Sequence, residues 1–228
     1  MTPQKISFKV PPELWQSFSV QARDLFLSRA PFLNHMIATE VPHLKNDLAG
    51  KSLSLRAKRH ISGMLKKQGA KSVNIEVEQN TAEQLNDVVR ECNLVRDAFL
   101  CRMIVFLRGS DALLKYLEIP QQIDVLSSQV PGLESMPTSP LKAMESVRDD
   151  PLFYIRHHLD EFSGCGIYNV ALPRKLDWMA CYLEDEDVPG TPKHNKEQRE
   201  QREMAEAFAL IEAKAFAASP SQRKGGAA

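Results

Sequence analysis

The strongest constraint on this 228-residue chain is that it contains one stretch twice. Ile6 to Ile37 returns as Val73 to Ile104 at a constant offset of 67 residues, without a gap. Ile6, Phe8 and Val10 fall on Val73, Ile75 and Val77, while Phe18, Ala22 and Leu25 fall on Leu85, Val89 and Cys92. Leu27, Arg29, Phe32, Leu33, Met36 and Ile37 fall on Leu94, Arg96, Phe99, Leu100, Met103 and Ile104. A repeat of this kind makes each copy one supersecondary unit, and the fold follows from what one unit can and cannot bury.

Each copy opens with strict alternation. Ile6, Phe8 and Val10 share one face with Lys5, Ser7 and Lys9 opposite, and Val73, Ile75 and Val77 alternate in the same way with Ser72, Asn74 and Glu76. Period two over six residues predicts a half-buried strand. The period then turns helical. In copy one, Pro11-Pro12-Glu13 supplies a proline and an acid for the first turn, and Leu14, Phe18, Ala22 and Leu25 mark one face. In copy two, Asn80 is the expected N-cap with Glu83 three residues on, and Leu85, Val88, Val89 and Cys92 form the face. Short turns at Ser28-Arg29-Ala30 and Asn93-Leu94-Val95 lead into second helices. The first carries Phe32, Leu33, Met36 and Ile37 and is expected to stop at Pro42; the second carries Phe99, Leu100, Met103, Ile104 and Leu107 and is expected to stop at Gly109.

Strand, helix, turn and helix cannot bury their own apolar faces, so each unit must pair. This pattern resembles the ribbon-helix-helix family of DNA-binding proteins, the group that includes the Arc and MetJ repressors. Leu27-Ser28-Arg29-Ala30-Pro31-Phe32-Leu33 and Leu94-Val95-Arg96-Asp97-Ala98-Phe99-Leu100 look like that family's turn into its second helix. Copy one keeps the strand followed by Pro-Glu-Leu, whereas copy two departs there with Glu78-Gln79-Asn80-Thr81. The resemblance covers the two copies and nothing beyond them. It implies a mainly α fold with a two-stranded antiparallel β-ribbon: a tandem ribbon-helix-helix domain at 1–109, with copies at 5–41 and 72–109 and a connector at 42–71. Pairing within one chain is sterically open, because roughly 30 connector residues span up to ~100 Å when extended. Pairing between chains is open as well.

The connector is the most basic stretch. Lys45, Lys51, Arg56, Lys58, Arg59, Lys66, Lys67 and Lys71 face one acid, Asp47. Leu53, Leu55, Ile61, Met64 and Leu65 predict a short helix inside it, capped by Ser52 or Ser54 and ending near Gly69. Either it is a solvated linker helix or it tracks phosphates beside the ribbon. The neutral overall charge hides a split. Residues 1–109 carry 16 Lys and Arg against 10 Asp and Glu, and residues 110–228 carry 13 against 19. Such a division suits a DNA-binding module joined to a partner region.

An all-helical region is expected beyond Ser110: a helical domain at 110–187, then a linker, a long helix and a disordered tail at 188–228. Short helices are expected at Asp111 to Glu118 and Gln121 to Ser128, then a turn-rich stretch from Gln129 to Pro140. A helix from Asp150-Pro151 carries Leu152, Phe153, Ile155, His158, Leu159 and Phe162 and is broken at Gly164-Cys165-Gly166. Another is expected from Leu172 to Leu183, with Leu176, Met179, Ala180 and Leu183 inward. The long helix is expected from Asn195 to Ala218, with a stripe of Met204, Phe208, Ile211 and Ala215 suited to packing or self-association. Ser219 to Ala228 should be disordered.

His157, His158, Cys165 and Cys181 lack metal-ligand spacing, and no phosphate-loop, nucleophile-elbow or dinucleotide fingerprint occurs. No metal, cofactor or enzymatic activity is expected. The absence of a long apolar run or a signal-like segment argues against a membrane and for a cytoplasmic protein with four reduced thiols.

The resemblance then assigns roles. A ribbon in the major groove would read bases with Lys5, Ser7, Lys9, Ser72, Asn74 and Glu76, lysine suiting guanine, asparagine adenine and glutamate cytosine. Phosphates would meet Ser28, Arg29, Asn93 and Arg96 at the starts of the second helices. Apart from the resemblance, the basic residues Arg56, Lys58 and Arg59 in the connector, and Thr2 and Gln4 in a short N-terminal arm, are further phosphate candidates. Lone arginines at such positions also serve in local salt bridges, and polar alternates on a strand are also a plain solvent face. The expected function is sequence-specific transcriptional regulation, with double-stranded DNA as partner and self-association or a protein partner through the C-terminal helices. More loosely, the layout resembles ribbon-helix-helix activators of conjugative-plasmid transfer genes. The alternatives are a plasmid partition or antitoxin-type protein, and a protein-interaction scaffold that never touches DNA.

Overall fold

The apolar alternates of the two repeats meet in one sheet. In the computed structural model, which describes residues 3–120, 122–124, 135–137, 140 and 149–218, strand β1 (Pro3–Val10) pairs antiparallel with β2 (Lys71–Glu78) of the same chain. Ile6 lies opposite Ile75 and Phe8 opposite Val73. Ser7 lies opposite Asn74, its own equivalent in the repeat, so a pseudo-two-fold axis passes through that pair. Ile6, Phe8, Val10, Ile75 and Val77 are buried, which leaves the alternate residues on the other face.

Helices α1 (Pro12–Asp24) and α4 (Gln79–Glu91) are equal in length and sit 67 positions apart, as do the starts of α2 (Arg29–Asp47) and α5 (Arg96–Arg108). Their main contacts cross between copies: α2 packs on β2 and α4, while α5 packs on β1 and α1. Each second helix also covers the outer edge of the opposite strand, where unpaired backbone groups need partners. Asn34 Oδ1 accepts from the Glu78 N–H at 2.8 Å. On the other side Arg96 donates to the Ser7 carbonyl at 2.6 Å, and the Cys101 thiol to the Lys9 carbonyl at 3.5 Å. Asn34 and Cys101 are repeat equivalents.

Two helix ends differ from expectation. α2 does not stop at Pro42 but runs through it to Asp47. An internal proline costs about 3 kcal/mol, yet continuing buries Leu44 and then Leu48 completely or nearly so, worth about 1.5–3 kcal/mol each. α4 starts at Gln79 rather than after an Asn80 cap. Asn34 already holds the Glu78 N–H, so the strand passes directly into the helix. Leu25, expected on the inner face of α1, closes the helix 40% exposed. Gln4, expected in a free arm, is a strand residue opposite Val77, and Thr2 lies outside the described residues.

The connector helix forms as α3 (Leu55–Lys67), with the Ser54 hydroxyl accepting from the Ala57 N–H and Gly69 in the left-handed region just past its end. Leu53, Ile61 and Leu65 are buried, and the helix packs against α5 and residues 174–179. Gly109, also left-handed, ends α5.

Beyond α6 (Asp111–Tyr116) the region is not all-helical. β3 (Gln122–Asp124) pairs antiparallel with β4 (Ser135–Pro137), where a helix and a turn-rich stretch were expected; the rest of both stretches, Pro140 apart, lies outside the described residues, as does 219–228. Three-residue strands carry too little periodicity to declare themselves. Helix α7 (Phe153–Ser163) buries Ile155 and Leu159, and Leu152 at its N-cap is buried too, but Phe153 and Phe162 face outward against His157 and His158. Residues 172–183 form only a 3-10 helix at Arg174–Met179. Pro173 sets its entry, Trp178 and Met179 bury, and extended backbone at Ala180 ends it.

One compact unit spans Met1–Leu183 and a second Glu184–Ala228, so the described residues from Ser110 to Leu183 cluster with the repeats. Buried polar groups explain the attachment. Arg156 on α7 donates to both Glu40 oxygens on α2, at 2.9 and 3.0 Å, and to Asp150. The Tyr168 hydroxyl donates to Glu40 at 2.7 Å and the Tyr168 N–H to Asp47. Arg102, buried on α5, donates to the Ile167 and Val170 carbonyls, with the Phe106 ring 5.6 Å away. His35, the repeat equivalent of Arg102, meets the Asp149 carbonyl at 2.7 Å. As a result α5 is buried nearly all round.

In the second unit, Thr191 caps α8 (Pro192–Ala218), which begins three residues before Asn195. Met204 and Phe208 stand exposed one turn apart. All four cysteines are free thiols, and no helix among the described residues is long and apolar enough to cross a membrane.

Two outcomes test this packing. Pro42→Ala should stabilise the protein by about 2 kcal/mol in urea denaturation, since it restores a helical N–H at a site α2 already spans, less a smaller entropic loss. Arg156→Met should cost about 3–5 kcal/mol near neutral pH by leaving the Glu40 carboxylate unpaired. Burial already pushes Glu40 above its ordinary value, against the pull of Arg156 and Tyr168. Without Arg156 the folded state holds the proton more tightly still. The penalty of the variant should therefore be small below the ordinary carboxyl value and grow as pH rises through the raised one. Denaturation at several pH values reads this directly.

Candidate nucleic-acid interface

The strand register decides which polar side chains share a surface. Lys5, Ser7 and Lys9 on β1 and Ser72, Asn74 and Glu76 on β2 are all exposed and lie together on the outer face of the ribbon. Lys5 pairs with Glu76 at 3.9 Å and the Ser7 hydroxyl bonds the Ser72 hydroxyl at 2.7 Å. These are loose solvent contacts: the Lys5 and Glu76 side chains are 76% and 61% exposed, and a surface ion pair of this kind is worth ~1 kcal/mol or less. They leave the side chains available to other partners.

The pseudo-two-fold axis exposes an asymmetry. It relates Lys5 to Ser72 and Lys9 to Glu76. One end of the outer face, at Lys9 opposite Ser72, carries only positive charge, while the other, at Lys5 opposite Glu76, is neutral. The face is thus polarised along its length.

The flanking helix starts differ as well. At α2, Pro31 has no N–H and the Phe32 N–H bonds the Ser28 carbonyl at 3.0 Å. The N–H groups of Arg29 and Ala30 have no intrahelical acceptor. Ser28 occupies the N-cap without a side-chain cap bond. Arg29 is exposed, donates to the Ser19 hydroxyl at 2.9 Å and stacks 5.6 Å from the Trp15 ring centre. Neither Arg29 nor Arg96 makes a local salt bridge among the described residues; each is held instead by a neutral oxygen. At α5, Asp97 stands where copy one has Ala30. Asp97 accepts from the Lys9 backbone N–H, and burial raises its pKa. A carboxylate in that first turn already occupies the positive end of the helix dipole.

The remaining phosphate candidates separate. Asn93 holds a left-handed turn, accepts from Lys58 at 2.8 Å and donates to the Leu53 carbonyl at 2.7 Å. Asn93 and Lys58 thus meet each other and tie α3 to the α4–α5 turn. Arg56 and Arg59 are exposed on α3. In copy one the turn position equivalent to Asn93 is Phe26, also at positive φ and 97% exposed. Sequence reasoning passed over Asp97, whose position beside Arg96 was visible in the repeat alignment. It also passed over Asn34, whose role needs the three-dimensional crossing of α2 over β2.

Comparison of the chain with protein-family models, with curated proteins and with solved structures finds no match in any of the three.

Proposed function

We propose that the chain is a sequence-specific DNA-binding regulator of the ribbon-helix-helix kind, with both units supplied by one chain and the ribbon laid in the major groove. The observation that carries this reading is the intrachain ribbon, which gathers six polar side chains from two distant stretches onto one exposed face while every apolar alternate turns to the helices. A two-stranded ribbon has the width to enter the major groove, and Lys, Asn, Ser and Glu are residue types that address base edges there. The open α2 start with Arg29 is suited to clasp one phosphate. At the α5 start, Asp97 opposes an anion, and Arg96 serves the ribbon backbone first.

The asymmetry sets what such a protein reads. A symmetric ribbon suits a palindromic half-site pair; one that presents Lys9 at one end and Glu76 at the other cannot favour the same bases at both. In a selection of bound sites from random duplexes, the full chain should recover a non-palindromic core. Lys9→Ala and Asn74→Ala should each relax preference at a different position, by about 1–3 kcal/mol per lost base contact. Recovery of a palindromic core, relaxed on both sides by either change, would sink the one-chain ribbon as the reader, and absence of any salt-dependent duplex binding would favour a scaffold role.

Arg29→Ala should weaken binding to all duplexes alike and reduce the slope of log affinity against log salt by about one. Fluorescence anisotropy at several salt concentrations measures it, and a loss restricted to one sequence would contradict a phosphate role.

A further inference from the structure

The two repeat copies close their first helices with the same motif but place opposite kinds of residue in it. At the end of α1 the Phe26 N–H bonds the Arg23 carbonyl and the Leu27 N–H the Ala22 carbonyl. At the end of α4 the Asn93 N–H bonds the Arg90 carbonyl and the Leu94 N–H the Val89 carbonyl. Both closing residues take left-handed backbone, with φ 55° at Phe26 and 48° at Asn93. Glycine and asparagine suit that position, and a bulky side chain there is disfavoured. Asn93 serves as a joint, holding Lys58 and the Leu53 carbonyl of the connector. Phe26 is 97% exposed, and Leu25 beside it is 40% exposed. A phenyl ring thus stands in water on a backbone that opposes it, two costs that packing within the fold does not offset.

The surroundings of the ring indicate what would cover it. Two residues on, Ser28 opens α2, where the Arg29 and Ala30 N–H groups have no intrahelical acceptor. Arg29 is exposed, and the Arg23 side chain is 75% exposed in a loose pair with its neighbour Asp24 at 3.4 Å. At the start of α5 the Arg96 guanidinium reaches the Ser7 carbonyl in the middle of β1. The pseudo-two-fold axis therefore sets the start of α2 beside the middle of β2. The Phe26 turn lies at the flank of the ribbon, among free donors and positive charge. A polyanion whose backbone alternates apolar sugar with phosphate matches that combination. A second copy of the same basic turn does not.

We infer that Phe26 packs against deoxyribose of the DNA backbone, next to the phosphate held at the start of α2, a contact that copy one makes alone. The inference rests on the major-groove reading proposed above.

Fluorescence anisotropy of the full chain with a labelled random-sequence duplex pool, and with a duplex carrying the core selected from it, tests the contact. Phe26→Asn should weaken both duplexes alike, by about fivefold to tenfold. It should leave the slope of log affinity against log salt unchanged, because an apolar contact releases no counterions. Phe26→Leu, which keeps an apolar side chain, should stay within about twofold of the wild type. The thermal melt of Phe26→Asn should rise, since asparagine fits the backbone and almost no burial is given up. If the wild type binds no duplex, the major-groove reading falls and this inference with it. If the wild type binds and Phe26→Asn binds equally well, this inference alone falls. It also falls if the loss is confined to the selected core, if the melt drops, or if sedimentation shows the wild type self-associating and Phe26→Asn monomeric.

Discussion

Pairing of β1 with β2 is the interaction on which the rest of the structure depends. Each strand has one apolar face and no neighbour in its own repeat, and a lone strand is not stable. Once Ile6 meets Ile75 and Phe8 meets Val73, the buried face of the ribbon becomes a floor for α2, α4 and α5, and Phe8 also meets the Trp15 ring of α1. The second helices then cross to the opposite strand and satisfy its edge through Asn34, Arg96 and Cys101. Neither repeat can leave without exposing the other's floor and its unpaired backbone groups.

A buried polar tether extends this core beyond the repeats. Glu40 takes hydrogen bonds from Arg156 and Tyr168, and Arg102 caps two carbonyls of the loop after α7. Buried ion pairs contribute little net stability, because desolvation offsets attraction, but breaking one is expensive. Their effect is to fix where residues 149–183 dock. The equivalent positions His35 and Arg102 both hold carbonyls of that segment. A pair of sites inherited from the repeat thus grips an element that is not repeated.

Much of the repeat region was legible because its signals are periodic and appear twice. The two alternating strands, the helix starts near Arg29 and Arg96, a serine cap at Ser52 or Ser54 and the Gly109 stop all follow from local chemistry, and the structure selects Ser54. Where a local rule and the repeat disagreed, the repeat was the better guide: the offset from Pro12 places the start of α4 at Gln79, whereas the capping motif pointed to Asn80. Pro42 misled because a stop signal worth a few kcal/mol was outweighed by leucines whose burial depends on distant residues. The outer-face residues were readable from alternation alone, but the Lys5–Glu76 pairing and the polarised face needed the register. The C-terminal half was least legible, since its order comes from buried charges and three-residue strands rather than long amphipathic periods.

The connector that carries α3 between the two copies has a thermodynamic consequence. When two separate chains must meet to form a ribbon, folding is second order and the folded fraction falls on dilution. Here the partner strand is covalently attached, at an effective concentration on the order of millimolar for a short flexible tether. The ribbon is therefore complete in a single molecule, at any copy number in the cell. Each half is also free to change one residue without imposing the same change on the other, a freedom that Lys9 and Glu76 already record.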